Sequence, residues 1–252
     1  MDIAALVMGP SHMEAFQVMQ DENTASILGE LTEERVYNIG VNTHFFERCI
    51  NILEAALNKY HPSKYIVIST FNVSFSDEEL RLILNKSVPE REKLKTGLFL
   101  EFLRKSSYMR LIYQKSKVVL KKYIHAEVKS ILTAKNNPVL LDKVMKYVKD
   151  TAGSYGVKAL IFYHPSTSLN SDGSLNVKTD YEGVSSFSES CRKNGIYFID
   201  MSSRFQDEYT KNHILPYGFI NTSVGSGHLN RYGHKMIAEE LYKLIQRIEA
   251  ES

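Results

Sequence analysis

The fold is decided by the stretch Ile3-Ala-Ala-Leu-Val-Met8-Gly9-Pro10-Ser11-His12, which stands at the start of the chain. Its apolar part is continuous, and such a run is typical of a parallel strand that is buried on both faces. Gly9 and Pro10 end the run, and the residues that follow predict a helix from about His12 to Gln20. A strand that turns sharply into a helix indicates an α/β protein.

The alternation of strand and helix continues through the rest of the chain. Further apolar runs predict strands at Val36–Ile39, Tyr65–Ser69, Val157–Tyr163 and Ile196–Ile199. The spacing of apolar residues predicts helices at Phe45–Tyr60, at Tyr181–Asn194, and at Arg231–Glu249 with Asn230 as N-cap. This order predicts a three-layer αβα domain around a doubly wound, flavodoxin-like parallel sheet of five strands. Ligands of such sheets bind at the carboxyl ends of the strands.

A long basic segment interrupts this alternation between the third and fourth strands. We predict that residues 1–252 form a single domain and that residues from about 75 to 150 are a helical insertion in it. Between Glu101 and Lys149 there are twelve Lys or Arg and three Asp or Glu, a net charge of +9. Apolar residues interleave with the basic ones, which favours either a solvated helix face or a surface for an anionic membrane, polymer or partner. Because no nucleic-acid-binding motif accompanies the charge, nucleic acid is not expected as a partner.

The composition excludes several other classes. With 43% hydrophobic and 24% charged residues, the chain is neither a disordered nor a fibrous protein. Cys49 and Cys191 match no metal or redox spacing and are predicted to be buried free thiols. No acids or thiols stand at ligand spacing beside His228, so neither a metal site nor a cofactor is predicted.

Localisation stays open at this stage. No apolar stretch is long enough for a membrane span, and no signal peptide is recognisable. The sequence starts almost directly on its first apolar run. An upstream anchor would make the protein extracytoplasmic and membrane-associated, and without one we expect a cytoplasmic protein.

Two residues stand where they could perform chemistry. Ser11 lies at the first strand-to-helix turn, where helix N–H groups point outward, although serine also serves there as a plain N-cap. His228 lies in the glycine-rich loop Gly225-Ser-Gly-His228-Leu-Asn230, just before the last helix. An imidazole can accept a serine proton and return it to a leaving group, or it can simply order the loop. His234, inside the helix start, is predicted to be structural.

Together these features resemble the SGNH (GDSL-like) hydrolases and acyltransferases. The nucleophile turn of that family is resembled by Gly9-Pro10-Ser11-His12, and its glycine block after strand two by Asn38-Ile39-Gly40-Val41-Asn42. Thr70-Phe71-Asn72 matches loosely the asparagine block after strand three. The last block, Asp-x-x-His followed by Leu-Asn-x-x-Gly-His, is similar to the residues from His228 to His234.

The resemblance implies a site and leaves its mechanism open. Ser11 would be the nucleophile and His228 the base, with an oxyanion hole from the N–H groups of Ser11 and Gly40 and an amide of Asn42 or Asn72. The family's orienting aspartate is replaced by Gly225, a loss that costs about 10⁴-fold in rate if nothing compensates. His228 could be oriented by a backbone carbonyl, giving a Ser–His dyad. Asp200, after strand five, could supply the acid instead, or the site could be degenerate.

Of these we favour the dyad. The resemblance then implies a serine-dependent acyl-ester hydrolase or O-acyltransferase that acts on acylated carbohydrate or a cell-envelope polymer. The alternative is a non-catalytic polymer-binding or assembly protein on the same fold, and a lipase or thioesterase is a third interpretation.

Overall fold

The computed structural model describes residues 2–42, 44–85, 136–219 and 224–251. Within these ranges, parallel strands build a central sheet: β1 (Ala5–Met8), β2 (Val36–Asn38), β3 (Tyr65–Thr70), β4 (Lys158–Tyr163) and β7 (Tyr197–Asp200). A short antiparallel hairpin stands apart from it, formed by β5 (Thr167–Leu169) and β6 (Leu175–Val177). The order across the central sheet is β2-β1-β3-β4-β7, with all neighbours parallel. The prediction of a doubly wound, flavodoxin-like α/β fold is confirmed.

Helices cover both faces of the sheet. Those of the described ranges are α1 (Ser11–Glu14), α2 (Thr24–Thr32), α3 (Phe46–Tyr60), α4 (Asp77–Leu84), α5 (Pro138–Ser154), α6 (Tyr181–Lys193), α7 (Ser202–Asn212) and α8 (Arg231–Ala250). Side chains of α3, α4, α5 and α6 pack on one face, and those of α2, α7 and α8 pack on the other. Alternate residues of β1 serve the two cores, with Leu6 and Met8 in the first and Ala5 and Val7 in the second. Burial of every β1 residue explains its continuous apolar run.

The helix predicted from His12 to Gln20 is wrong in length. It ends after one turn at Glu14 because Ala15 adopts a left-handed backbone with φ of 58°. The chain then forms a separate helix, α2, whose N-cap Asn23 accepts hydrogen bonds from Ala25 N and Ser26 N. The β5–β6 hairpin and α7 were also not predicted.

The two ends of the predicted insertion pack into the first core. Leu80 and Ile83 of α4 and Leu141 and Val144 of α5 are buried there. The densest basic stretch, residues 102–123, lies outside the described residues, so its contact with a membrane, polymer or partner stays a prediction. None of the helices in the described ranges combines the length and the apolarity that a bilayer crossing requires. Cys49 and Cys191 are buried free thiols, as predicted.

Candidate active site

The nucleophile turn begins where β1 leaves the sheet. Gly9 is required there because a Cβ on it would lie 2.6 Å from Ser69 Cβ and 2.7 Å from Met13 Cγ. Pro10 then begins the single turn of α1, and its carbonyl accepts from Met13 N and Glu14 N. Ser11 therefore stands at the carboxyl end of β1, beside β3. This is the point where the strand order reverses, which is where doubly wound sheets bind ligands.

His228 reaches Ser11 from a part of the chain that is 217 residues away. Its Nε2 lies 3.1 Å from Ser11 Oγ, within hydrogen-bonding distance. Strand-like pairing delivers it there, since Tyr217 and Leu229 form an antiparallel bridge and Gly218 N donates to His228 O at 3.0 Å. We call residues 215–219 and 224–230 together the base loop. A serine hydroxyl in contact with an imidazole is the arrangement that activates serine as a nucleophile.

A second histidine, His164, lies entirely buried behind the dyad. Its Nε2 is 3.0 Å from Ser69 Oγ, and its Nδ1 is 2.8 Å from the hydroxyl of Tyr217. Tyr217 also donates to the carbonyl of His164 at 3.2 Å. Burial, followed by the neighbouring His12 and His234, holds the pKa of His164 well below its ordinary value, so the ring is neutral. The sequence predicted His164 only as the end of a strand and gave no sign that it connects Ser69 to Tyr217 behind the dyad.

His12 occupies the space between this buried pair and the dyad. Its ring centroid is 4.9 Å from that of His164, 5.7 Å from that of Tyr217 and 5.2 Å from that of His228. Its Nδ1 accepts a hydrogen bond from Leu229 N at 3.3 Å. Burial, with a smaller contribution from His228, lowers the pKa of His12 to about 4. His12 is therefore neutral near pH 7 and can accept this bond.

Two open cavities lie near the site. One of about 570 Å³ borders the base loop, with Leu215, Tyr217 and Gly225 in its wall. The other, of about 430 Å³, borders the loop after β2, with Gly40 and His44 in its wall. Neither wall includes Ser11 or His228, so the dyad itself lies outside both. Over the part of the chain that the structure describes, no cluster of three His, Cys, Asp or Glu side chains could hold a metal ion.

Comparison with known proteins rests on structure alone. No family model matches the chain, and no curated protein matches it in sequence. An acetyl xylan esterase, AlAXEase, superposes with a TM-score of 0.53 at 13% identity, over 96% of this chain and 99% of that one. A member of the lipolytic protein G-D-S-L family from Veillonella parvula DSM 2008 superposes with a TM-score of 0.50 at 13% identity, over 96% and 98%. The chain therefore shares the fold of this esterase and this lipolytic protein.

A larger protein also superposes on this chain. A two-domain esterase active on acetylated mannans superposes with a TM-score of 0.53 at 10% identity. The match covers 99% of this chain but 50% of that one, so this chain corresponds in length to half of that esterase.

Two of the oxyanion donors that the family resemblance predicts, Gly40 N and the amide of Asn72, have partners within this protein. Gly40 N donates to Asn38 Oδ1 at 2.8 Å, and Asn38 Nδ2 in turn donates to Met13 O at 2.7 Å. Asn72 folds back on its own loop, where its Nδ2 donates to Ser74 O at 2.8 Å. Ser11 N has no acceptor among the described residues, and Asn42 is exposed. The roles of Ser11 N, Gly40, Asn42 and Asn72 in an oxyanion hole stay predictions.

Neither Asp200 nor position 225 supplies an acid to His228 in this structure. Asp200 Oδ1 accepts from Ser202 N at 2.9 Å and from Ser202 Oγ at 2.5 Å, and so braces the start of α7. Gly225 has a φ of 72°, and its carbonyl accepts from Thr167 Oγ1 at 2.6 Å. Within the described ranges, the side chain of His228 is bonded to Ser11 Oγ and to no carboxylate.

Proposed function

We propose that this chain is a serine-dependent acyl-ester hydrolase or O-acyltransferase with a Ser11–His228 dyad. The observation that carries the proposal is the 3.1 Å separation of Ser11 Oγ and His228 Nε2, at the strand edge where this fold class binds ligands. The two atoms belong to residues near opposite ends of the chain, and backbone hydrogen bonds hold the base loop where they meet. Such convergence supports a selected function over a chance contact.

In the proposed mechanism, His228 accepts one proton and then donates it in each of the two half-reactions. Ser11 Oγ attacks the carbonyl carbon of an ester while its proton passes to His228 Nε2. The tetrahedral intermediate collapses, the bond to the leaving oxygen breaks, and His228 returns the proton to that oxygen. Water or a sugar hydroxyl then attacks the acyl-Ser11 ester and gives its proton to His228. The bond between the acyl carbon and Ser11 Oγ breaks, the acyl group leaves as the acid or the new ester, and His228 returns the proton to Ser11 Oγ. The Ser11 N–H, at the start of α1, is the proposed donor for the oxyanion.

The proposed substrate is an O-acyl group on a carbohydrate or a cell-envelope polymer. Support comes from the two structural relatives whose names specify acetylated xylan and acetylated mannans. The two open cavities beside the site are compatible with a substrate that extends past the ester. Whether water or a sugar hydroxyl accepts the acyl group depends on the acceptor that binds, and both outcomes use the same acyl-enzyme.

The decisive experiment labels Ser11 with a fluorophosphonate and follows hydrolysis of p-nitrophenyl acetate. We expect labelling of Ser11 by mass spectrometry, and loss of both labelling and turnover in Ser11→Ala and His228→Ala. The matched controls are Ser154→Ala and His61→Asn, which change a serine before β4 and a histidine before β3, at the edge of the sheet opposite the strand ends that carry the site, and should retain full activity. Acetylated xylan and mannan, offered with and without an acceptor oligosaccharide, then separate hydrolysis from transfer. No labelling, with equal turnover in all variants, contradicts the proposal.

One observation favours a second candidate, a non-catalytic polymer-binding protein. The N–H of Gly40 and the amide of Asn72, which an SGNH oxyanion hole would use, are bonded to Asn38 and Ser74. Under this hypothesis the same cleft holds an acylated polymer without cleaving it. Binding of acetylated xylan or mannan by the unlabelled protein, together with no reaction at Ser11, would favour it.

A further inference from the structure

Among the residues that the structure describes, no acid is bonded to the proposed base, His228. A side chain at position 225 would be strained in this backbone, because a Cβ there lies 3.2 Å from Leu169 Cγ and 3.4 Å from Leu215 Cδ2. The glycine φ of 72° also disfavours any residue with a side chain. An imidazole without an orienting partner is free to rotate, and misplacement by about 1 Å can cost about 10²-fold in rate. The described residues offer one candidate for fixing it, on the nucleophile turn.

The peptide unit that joins His228 to Leu229 is fixed at both of its polar atoms. On one side, the His228 carbonyl accepts from Gly218 N at 3.0 Å. On the other side, Leu229 N donates to His12 Nδ1 at 3.3 Å. Since both bonds act on one planar group, they set the direction in which the His228 side chain leaves the backbone. His12 is the side-chain member of this pair of anchors.

His12 is itself held in place by aromatic side chains. Its ring packs edge-on against Phe71, His164 and Tyr217, with centroids 6.0, 4.9 and 5.7 Å away. His164 is fully buried, and both of its ring nitrogens have hydroxyl partners, in Ser69 and Tyr217. We call the hydrogen-bonded side chains of Ser69, His164 and Tyr217 the buried column. His12 thus connects the base loop to this column, which starts at Ser69 on β3. Its own ring lies 5.2 Å from that of His228 at a tilt of 41°.

We infer that His12 is a positioning residue for His228 and takes over the orienting role of the missing acid. It does so from the nucleophile turn, by accepting the Leu229 N–H bond and by packing against the His228 ring. The inference rests on the proposed function, since it presumes that Ser11 and His228 carry out the chemistry. It also gives a reason for a histidine directly after the nucleophile, where one side chain can contact the base loop and the buried column together.

Two substitutions separate the hydrogen bond from the ring. His12→Phe keeps an aromatic ring for Phe71 and Tyr217 but removes the acceptor for Leu229 N. His12→Asn keeps an acceptor at the position of Nδ1 but removes most of the ring. We expect His12→Phe to lose about 10- to 100-fold in kcat for p-nitrophenyl acetate with KM within about twofold. His12→Asn should recover most of that loss. His234→Gln, at a buried histidine that bonds Thr24 instead, is the control for burial alone.

A readout independent of activity is the exchange rate of the Leu229 amide hydrogen. It should rise in His12→Phe and stay near the native rate in His12→Asn, while neighbouring amides of α8 keep their protection in both.

The outcomes distinguish this inference from the proposed function. Unchanged kcat and Leu229 exchange in His12→Phe overturn the positioning role alone. A raised KM with unchanged kcat also overturns it, and makes His12 a substrate contact. A wild-type protein in which the fluorophosphonate does not label Ser11 overturns the proposed function, and this inference with it.

Discussion

The two sides of the candidate site are held together by different forces. On the nucleophile side, residues 9–14 and 38–41 meet backbone to backbone, since Val41 N donates to Gly9 O at 3.0 Å and Gly40 lies against the backbone of Met13 and Glu14. A side chain on Gly40 would overlap the backbone of Met13 and Glu14. On the base side, the loop that carries His228 is held by hydrogen bonds to Gly218 and His12 and by the packing of Tyr217.

This difference predicts two kinds of failure. Close packing of backbone atoms leaves no room for adjustment, so damage to the nucleophile side should be nearly complete. Hydrogen bonds from neutral imidazoles and hydroxyls can be weakened one at a time, and those of His12 and His164 depend on pH. Damage to the base side should therefore be graded.

The largest effect is expected on the nucleophile side, from Gly40→Ala. The added Cβ would push the loop after β2 away from α1, with loss of the Asn38–Met13 hydrogen bond and displacement of Ser11. We expect Ser11 labelling to fall by about 100-fold or more. The matched control is Gly153→Ala, where a Cβ meets nothing within 4 Å and α5 should gain about 0.5–1 kcal/mol. Near-native labelling in Gly40→Ala would show that this contact is softer than its geometry indicates.

The next effect is a loss of stability in acid, at the contact that His12 makes with the base side. Burial lowers the pKa of His12 from 6.5 to about 4, so the unfolded chain takes up this proton first as the pH falls. The stabilisation is complete above about pH 6.5 and is lost between pH 6.5 and pH 4, by on the order of 3 kcal/mol for this one residue. Urea unfolding at pH 7 and pH 4 measures it, and His12→Asn should lose less free energy over that interval. Equal losses in the two proteins would contradict the prediction.

The sheet could be predicted from sequence because its signal is local. Each central strand is a short apolar run with a turn residue at its end, and burial on both faces follows from that pattern. The turn and the glycine-rich loop each carry a recognisable local pattern, so sequence also singled out Ser11 and His228, whose side chains lie 3.1 Å apart in the structure. Their catalytic roles stay predictions. What no local pattern carried was the end of α1, since Ala15 has no intrinsic preference for its left-handed backbone.

His164 and Tyr217 could not have been found in the same way. They stand 53 residues apart, and their contact exists only after β4 and the base loop are brought together by the fold. In the sequence, His164 stands before a proline and reads as the end of a strand. Tyr217 stands between Pro216 and Gly218 and reads as part of a loop. Two polar residues that meet only through long-range packing leave no periodic signal in the sequence.

A smaller effect is expected when the column behind His12 is weakened. Tyr217→Phe keeps the ring that packs on His12 but removes the hydroxyl that satisfies His164 Nδ1 and donates to its carbonyl. We expect a loss of about 1–3 kcal/mol in the free energy of unfolding, since a buried polar atom loses its partner. Urea denaturation measures the loss, and kcat should fall less than in His12→Phe. A stability equal to that of the native protein would mean that the column does not support the base loop.

The smallest effect on activity is expected from Gly225→Asp, which places the family's acid at its usual distance from His228 in sequence. If the site had simply decayed, restoring the aspartate should raise kcat by tenfold or more. In this backbone the new side chain starts against Leu169 and Leu215 at a φ of 72°, so we expect no gain in kcat and a cost of about 1–2 kcal/mol in stability. Gly225→Ala places a side chain at the same φ without a carboxylate. The difference in kcat between the two variants therefore measures the effect of the carboxylate alone. Because His12 already holds the Leu229 peptide from the nucleophile side, an acid at position 225 is not needed to orient His228.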